Sequence, residues 1–490
     1  MAGHGDSHPT VAIVGAGFGG IGLGIRLKQA GTDFTILEKG DRIGGVWRDN
    51  TYPGLTCDIP SHLYSFSFEP KHDWSRRFPP RSEILDYLEA CVRKYGLDRH
   101  IRLGVGVASA DFDEAGGRWR IATDGGEKLE AEVLATATGQ LSRPAYPDIP
   151  GLDRFEGAIF HSARWDPEFE FRGKRVAVLG TGASAIQFVP AIAPEVSKLH
   201  LFQRSAPWVI PKPDRPYSAW ERRIYQRLPV VQSLSRLWDF VFYESFVLAF
   251  SRLRGLMRPL QFIAGRQLRR EVEDPVLRSR LTPDYPMGCK RILISDDWYA
   301  ALTRDNVEVV TNRIARVEPD RVVTEDGSER EVDAIILATG FASTEFLAPM
   351  RITGLDRREL NEVWRDGPEA YLGLTVSGFP NLFILYGPNT NLGVGSIVYM
   401  LESQIHYVVD SIRTLRQGGI RYIDIRPDVQ REFNAELQRR LAGSVWQAGC
   451  SNWYRTESGK ITNNWPGLTL EYRRRTRRLE LGDYRVARAV

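Results

Sequence analysis

Twice in this chain a short apolar run stops at a glycine-rich turn and gives way to a helical pattern. Val11 to Val14 (VAIV) leads into Gly15, Gly17 and Gly20, then into Ile21, Leu23, Ile25 and Leu27. Arg175 to Leu179 (RVAVL) leads into Gly180, Gly182 and Ala185. Such apolar runs read as strands buried on both faces of a parallel sheet. Glycines at this spacing allow a tight turn, close approach of the backbone to a pyrophosphate, and close packing of helix on strand. The helix N-terminus then offers its free amides and positive dipole end to phosphate. Ala185, in place of a third glycine, still permits that packing. The pattern predicts an α/β chain with two Rossmann-like dinucleotide-binding domains.

The ends of the next strands set the two units apart. Phe34 to Leu37 runs into Glu38, an acid placed to take ribose hydroxyls and to repel a 2′-phosphate. Leu199 to Phe202 runs instead into Gln203, Arg204 and Ser205. Arg204 offers a fixed bidentate donor that favours NADP over NAD, the alternative being an ordinary solvated arginine. Lys212 is a second, weaker candidate for phosphate.

At 490 residues the chain is too long for one ordinary core, so two or three domains are expected. A formal charge of +4 gives little reason to expect nucleic acid as a partner. Cys57, Cys91, Cys289 and Cys450 are scattered with no CxxC pair, which argues against a disulfide framework, a metal site or a dithiol centre and suits a reducing cytosol. The first nine residues are polar and carry no apolar signal core. No run reaches the roughly 18 apolar residues of a membrane span; the best, Trp238 to Phe250, is broken by Asp239 and Glu244. The expectation is a cytoplasmic protein with no integral membrane segment.

Two further segments carry a resemblance. Ile43 to Asp58 reads IGGVWRDNTYPGLTCD, and Phe155 to Asp166, between the two turns, reads FEGAIFHSARWD. The first resembles a GGxWxxxxYPGxxxD stretch and the second a Phe-x-Gly-x-x-x-His-x-x-x-Trp-Asp linker. Together they resemble the type I Baeyer–Villiger monooxygenases, class B flavoprotein monooxygenases. The resemblance implies FAD, NADPH and dioxygen as cofactors and co-substrate. It implies oxygen insertion beside a ketone carbonyl, through a peroxyflavin, to give an ester or lactone. Sulfide is a further substrate class, and the oligomeric state is left open.

On that resemblance, Gly15, Gly17, Phe18, Gly20, Glu38, Gly45, Trp47, Tyr52 and Asp58 fall to FAD. Gly180, Gly182, Ser184, Ala185, Arg204 and Lys290 fall to NADP. The segment GCKRILISDD (Gly288 to Asp297) resembles the family stretch whose Arg follows a Lys. Arg291 is then the cation that stabilises the anionic oxygen species. Asp58 orients it. Phe379 to Asn391 resembles a later flavin contact, with Asn389 in it, and Asn452 to Gly467 resembles a looser SWYxGxNxPGK segment that puts Trp453 on the NADP ribose. Within the linker, Phe155, Gly157, His161 and Trp165 are expected to position the two domains rather than to do chemistry.

The expected organisation is a split FAD domain (1–152 and 341–490), an NADP domain (153–212 and 290–340) and a helical insertion (213–289). The insertion suits packing over a substrate pocket, and a basic amphipathic helix there also suits weak peripheral contact with a membrane. Three other activities fit parts of the pattern: a flavin monooxygenase for sulfides or amines, a plain FAD reductase, and a non-catalytic NADP-binding flavoprotein. The missing Cys pairs count against a disulfide reductase, and Arg291 with Asp58 counts against the last.

Overall fold

The computed structural model describes residues 10–251, 254–447, 449–450 and 452–488. Residues 1–9, on which the expectation about a signal segment rests, lie outside the described residues. A first sheet of five parallel strands runs, edge to edge, Leu382–Ile384, Val133–Thr136, Val11–Val14, Phe34–Glu38 and Ile101–Leu103. Val11 sits opposite Phe34 on one side and Val133 on the other. All four residues of Val11–Val14 are buried, as a central strand with both faces covered requires. Helix α1 (Phe18–Gln29) follows the first glycine turn, and its Ile21, Leu23, Ile25 and Leu27 are buried.

A second sheet repeats the design. Its parallel strands run Val307–Val310, Lys198–Phe202, Arg175–Leu179, Ala334–Leu337 and Ala158–His161. Helix α2 (Ala185–Ile192) leaves the second glycine turn. The two turns share one device. Gly15 has φ +104° and a Cβ there would fall 2.7 Å from the Ala137 carbonyl oxygen; Gly180 has φ +111° and its Cβ would fall 2.5 Å from the Ala338 oxygen. Each glycine is therefore pressed against an Ala-Thr-Gly segment leaving the neighbouring strand of its own sheet, and any side chain would push the two apart.

Between Lys198–Phe202 and Val307–Val310 the chain makes helices α3 (Ala219–Arg227), α4 (Pro229–Ser251) and α5 (Arg258–Glu271). Ser218 and Glu221 close a capping box at the start of α3. After the first sheet is completed, α6 (Ile397–Gln417) packs on α1, and α7 (Thr469–Arg475) packs on α6. A four-stranded sheet made of Val107–Asp113, Arg118–Thr123, Lys128–Ala131 and Arg351–Thr353 has no counterpart in the expectations above.

Candidate active site

A cavity of about 1080 Å³ runs between the two glycine turns. Gly15, Gly17, Phe18, Glu38, Gly45, Trp47, Tyr52 and Asp58 reach it from the first unit, and Gly182, Ser184, Arg204, Lys290 and Arg291 from the second. Gly20 does not line it. A Cβ on Gly20 would lie 1.8 Å from the Gly15 carbonyl oxygen, so this glycine is needed for the helix to lie on the turn. Gly180 and the buried Ala185 serve the same packing in the second unit. The GGxW loop is tied on by the Gly44 amide, which donates to the Ala16 carbonyl at 2.9 Å.

Glu38 is held more fully than its sequence position suggests. Its carboxylate accepts from the amides of Ala16 and Gly40, both at 2.8 Å, and from Arg48 Nη1 at 2.9 Å. Arg48 went unnoticed in the sequence, although it stands one residue after Trp47. Trp47 donates through Nε1 to the Tyr64 hydroxyl at 3.2 Å. Burial pushes the Tyr52 phenol up to about 12, opposed by a hydrogen bond with Ser184. That contact joins the two units at the cavity wall.

Arg291 and Asp58 meet in the cavity from opposite units. Arg291 donates from Nη2 at 2.5 Å and from Nε at 3.1 Å, both to Asp58 Oδ2. The Asp58 carboxylate raises the guanidinium well above its ordinary pKa, with burial opposing, so the charge on Arg291 is permanent. Cys57, Tyr386 and Tyr454 surround the pair. Burial pushes the Cys57 thiol up, with Asp58 adding to it, and pushes the Tyr454 phenol up to about 12. These neighbours therefore stay neutral at pH 7. Tyr386 has φ +59°, and its hydroxyl donates to Asn391 Oδ1 at 2.6 Å.

On the second unit's side, Lys290 Nζ lies 2.5 Å from Ser205 Oγ and 4.5 Å from the Tyr285 ring centroid. Arg204 is near enough to lower the Lys290 pKa, although burial contributes more. The two cations thus converge on one end of the cavity. Trp453 lines the same cavity. Lys212 does not join them. Its Nζ donates to Thr56 Oγ1 at 2.6 Å and does not line the cavity.

Phe155, Gly157, His161 and Trp165 do not line the cavity, although Ser162, next to His161, does. Phe155 is buried, and a Cβ on Gly157 would lie 2.6 Å from the Phe155 ring and 2.5 Å from the Asp333 carbonyl. His161 Nδ1 accepts from the Ala163 amide at 3.0 Å, and the ring lies between Tyr146 and Phe341. Burial lowers its pKa. Trp165 sits 6.4 Å from the Tyr52 ring and 5.2 Å from Phe188, so it packs where the two units touch. Asn389 is also turned away from the cavity. Its side-chain amide donates to the carbonyls of Ile461 (2.9 Å) and Asn464 (3.2 Å) and holds the C-terminal loop, whereas its neighbours Tyr386 and Asn391 line the cavity.

One expectation is overturned. Cys289 and Cys450 form a disulfide, Cα to Cα 6.3 Å. The bond ties the residue before Lys290 and Arg291 to the loop that carries Trp453. A separation of 161 residues leaves no local spacing signal, so counting CxxC pairs could not find it. Cys57 and Cys91 are free and buried.

Known proteins resemble this chain in sequence and in fold. Residues 8–352 match the family described as FMO-like, flavin-binding monooxygenase-like. A "Baeyer-Villiger monooxygenase" of Streptomyces coelicolor is 46% identical over 486 residues, covering 98% of this chain and 93% of that one. An oxidized steroid monooxygenase bound to NADP superposes with TM-score 0.88 at 32% identity, covering 99% of this chain and 100% of the other. OTEMO in complex with FAD and NADP superposes with TM-score 0.88 at 26% identity, covering 98% and 100%.

Proposed function

This chain belongs to the flavin-binding monooxygenase-like family, and from that premise we propose that it is an FAD-dependent, NADPH-consuming Baeyer–Villiger monooxygenase. It inserts one atom of dioxygen beside a ketone carbonyl and yields an ester or lactone. The observation that carries the reading is the Arg291–Asp58 pair, set in a cavity reached by both glycine turns.

The residues fit the two cofactors. Gly15, Gly17, Glu38, Gly45, Trp47 and Tyr52 would hold FAD against α1, and Gly182, Ser184, Arg204, Lys290 and Trp453 would hold NADPH against α2. When bound, the flavin supplies the oxygen-activating chemistry with electrons from NADPH. The chain supplies the electrostatics. Arg291 holds a fixed positive charge where negative charge develops on oxygen, and it needs no reorganisation as the reaction proceeds. Asp58 fixes the plane of that guanidinium by taking two of its N–H groups on one oxygen. Neutral Cys57 and Tyr454 offer no competing charge. Phe155, Gly157, His161 and Trp165 keep the two units in register.

The reading includes division of the chain into a split FAD unit, an inserted NADP unit and a helical insertion. It also includes a cytoplasmic setting, where NADPH is at hand. The Cys289–Cys450 bond is buried and so shielded from thiols there.

The test is product analysis. Purified holoenzyme with NADPH, oxygen and a panel of cyclic and open-chain ketones is expected to give esters or lactones, one per NADPH consumed. Oxidation of a sulfide with every ketone untouched would overturn the ketone reading and favour a monooxygenase of soft nucleophiles.

A further inference from the structure

The first half of helix α4 is inside out. Its side chains Val230, Leu234, Leu237, Trp238, Val241 and Phe242 recur at three- and four-residue steps, and all are exposed: Leu234 by 60% and Trp238 by 70%. Along the first half of the helix the face turned to the protein is polar, whereas Val247, Ala249 and Phe250 near its end are buried. Gln232 and Asp239 are each only 4% exposed. Gln232 donates to the Lys71 carbonyl at 2.6 Å, Arg236 donates to the carbonyls of His62 (2.6 Å) and Ser65 (2.9 Å), and Asp239 accepts from Arg77 at 3.0 Å. The polar residues are thus specifically anchored, so the orientation is fixed by the fold. A surface helix ordinarily turns its apolar stripe to the core. An apolar stripe this long left outward marks a contact surface.

We propose that this stripe is a docking surface for an anionic lipid bilayer, on which the enzyme lies with α4 in the membrane plane. Charge decides among the occupants. From residue 219 to residue 271, every exposed charged side chain that is described is an arginine: Arg223 and Arg227 on α3, and Arg258, Arg266, Arg269 and Arg270 on α5. A second copy of the chain presenting the same face would bring arginines against arginines. A bilayer with anionic headgroups takes both the apolar stripe and the arginines of α3 packed beside it.

Two more features agree. Trp220 and Trp238 are both 70% exposed, and indole is the side chain best suited to the boundary between acyl chains and headgroups. A second basic run also borders the helix: Glu244 of α4 accepts from the Thr469 hydroxyl and the Leu470 amide at the start of α7, whose Arg473 and Arg474 are exposed, as are Arg477 and Arg478 beyond it. None of the described helices is long and apolar enough to cross a membrane, so the contact is peripheral.

The inner side of α4 packs beside the loops that carry the active site. Asp58 is close enough to add to the rise that burial gives the Tyr243 phenol, and Phe250 stacks on Trp446 beside Gly288 and Gly393. A ketone dissolved in the bilayer would meet the enzyme on a helix that packs beside the loop leading into Lys290 and Arg291.

The experiment is co-sedimentation of the holoenzyme with phosphatidylcholine vesicles and with vesicles containing phosphatidylglycerol. Binding at least tenfold tighter to the anionic vesicles is expected, with a further tenfold loss in the double variant Leu234→Gln, Trp238→Gln. Equal binding by parent and double variant, or no binding by the parent, overturns the proposal. A second measurement needs no variant: brominated lipid in the anionic vesicles is expected to quench part of the tryptophan emission of the unaltered protein. Absence of quenching overturns the proposal. So does a lipid-free dimer, seen by light scattering, that the double variant converts to monomer. All three readouts report binding or assembly and not turnover, so they stand or fall apart from the ketone reading.

Discussion

Arg291 gives two N–H donors to a single oxygen of Asp58, leaving the other carboxylate oxygen and Nη1 of the guanidinium outside the pair. One carboxylate therefore orients the cation without using up its donors. The two residues come from different dinucleotide units, so the pair forms only when both units are in place.

Arg291→Ala is expected to keep FAD and to lose ester formation by about a hundredfold or more, the usual cost of removing a donor aimed at developing negative charge. Oxygen and NADPH consumed without ester should appear as hydrogen peroxide. Gas chromatography of the ester beside flavin absorbance checks this, and ester made at the parent rate would remove Arg291 from the mechanism.

Arg204→Ala should raise the KM for NADPH by roughly 10- to 100-fold, as loss of a charged hydrogen bond implies, and leave the KM for NADH nearly unchanged. Steady-state kinetics with both coenzymes decide it. A similar rise for both would mean that Arg204 does not read the 2′-phosphate.

Cys450→Ser removes a bond that closes a loop of 161 residues, and a loss of about 2–4 kcal/mol in stability is expected. Denaturant titration measures the loss. Thiol counting on the unfolded, unreduced parent should find only Cys57 and Cys91 reactive; four reactive thiols would contradict the pairing.

Asp424 is buried at 1% exposure, accepts from the Gly378 amide at 2.7 Å, and has its carboxyl pushed by burial up to about 6, with Arg485 and Arg358 pulling the other way. The folded protein therefore holds a proton there that the unfolded chain releases above about pH 4. Stability from this group is full below pH 4 and is lost as pH rises through 6. Asp424→Asn keeps an acceptor for Gly378 and lacks the titration, so it should gain about 1–2 kcal/mol on the parent between pH 5 and pH 7.5. Unfolding both proteins at the two pH values is the check; a constant difference would show that Asp424 is ionised throughout.

The central strands of both sheets were legible because each is a continuous apolar run stopped by a glycine, a signal contained within a dozen residues. Val11–Val14 and Arg175–Leu179 fall where the sequence puts them. Residues that act through distant contacts were legible only by resemblance. Asp58 and Arg291 lie 233 positions apart, and nothing local pairs them. The motif points to Asn389, yet its side chain serves the C-terminal loop, while the residues on either side of the turn, Tyr386 and Asn391, face the cavity. The cysteine pair was hidden for the same reason of distance. The inverted face of α4 was hidden differently: periodicity marks a stripe but does not say which way it points.

Order of synthesis adds a last consequence. The edge strand Leu382–Ile384 pairs with Val133–Thr136 and completes the sheet that begins at Val11. The strands of the other sheet all lie between Ala158 and Leu337. On the ribosome, the unit whose first strand emerges later can close first, while the unit begun at the N-terminus waits with an open edge. The enclosed unit is thus complete in sequence before the last strand of the outer sheet has been made.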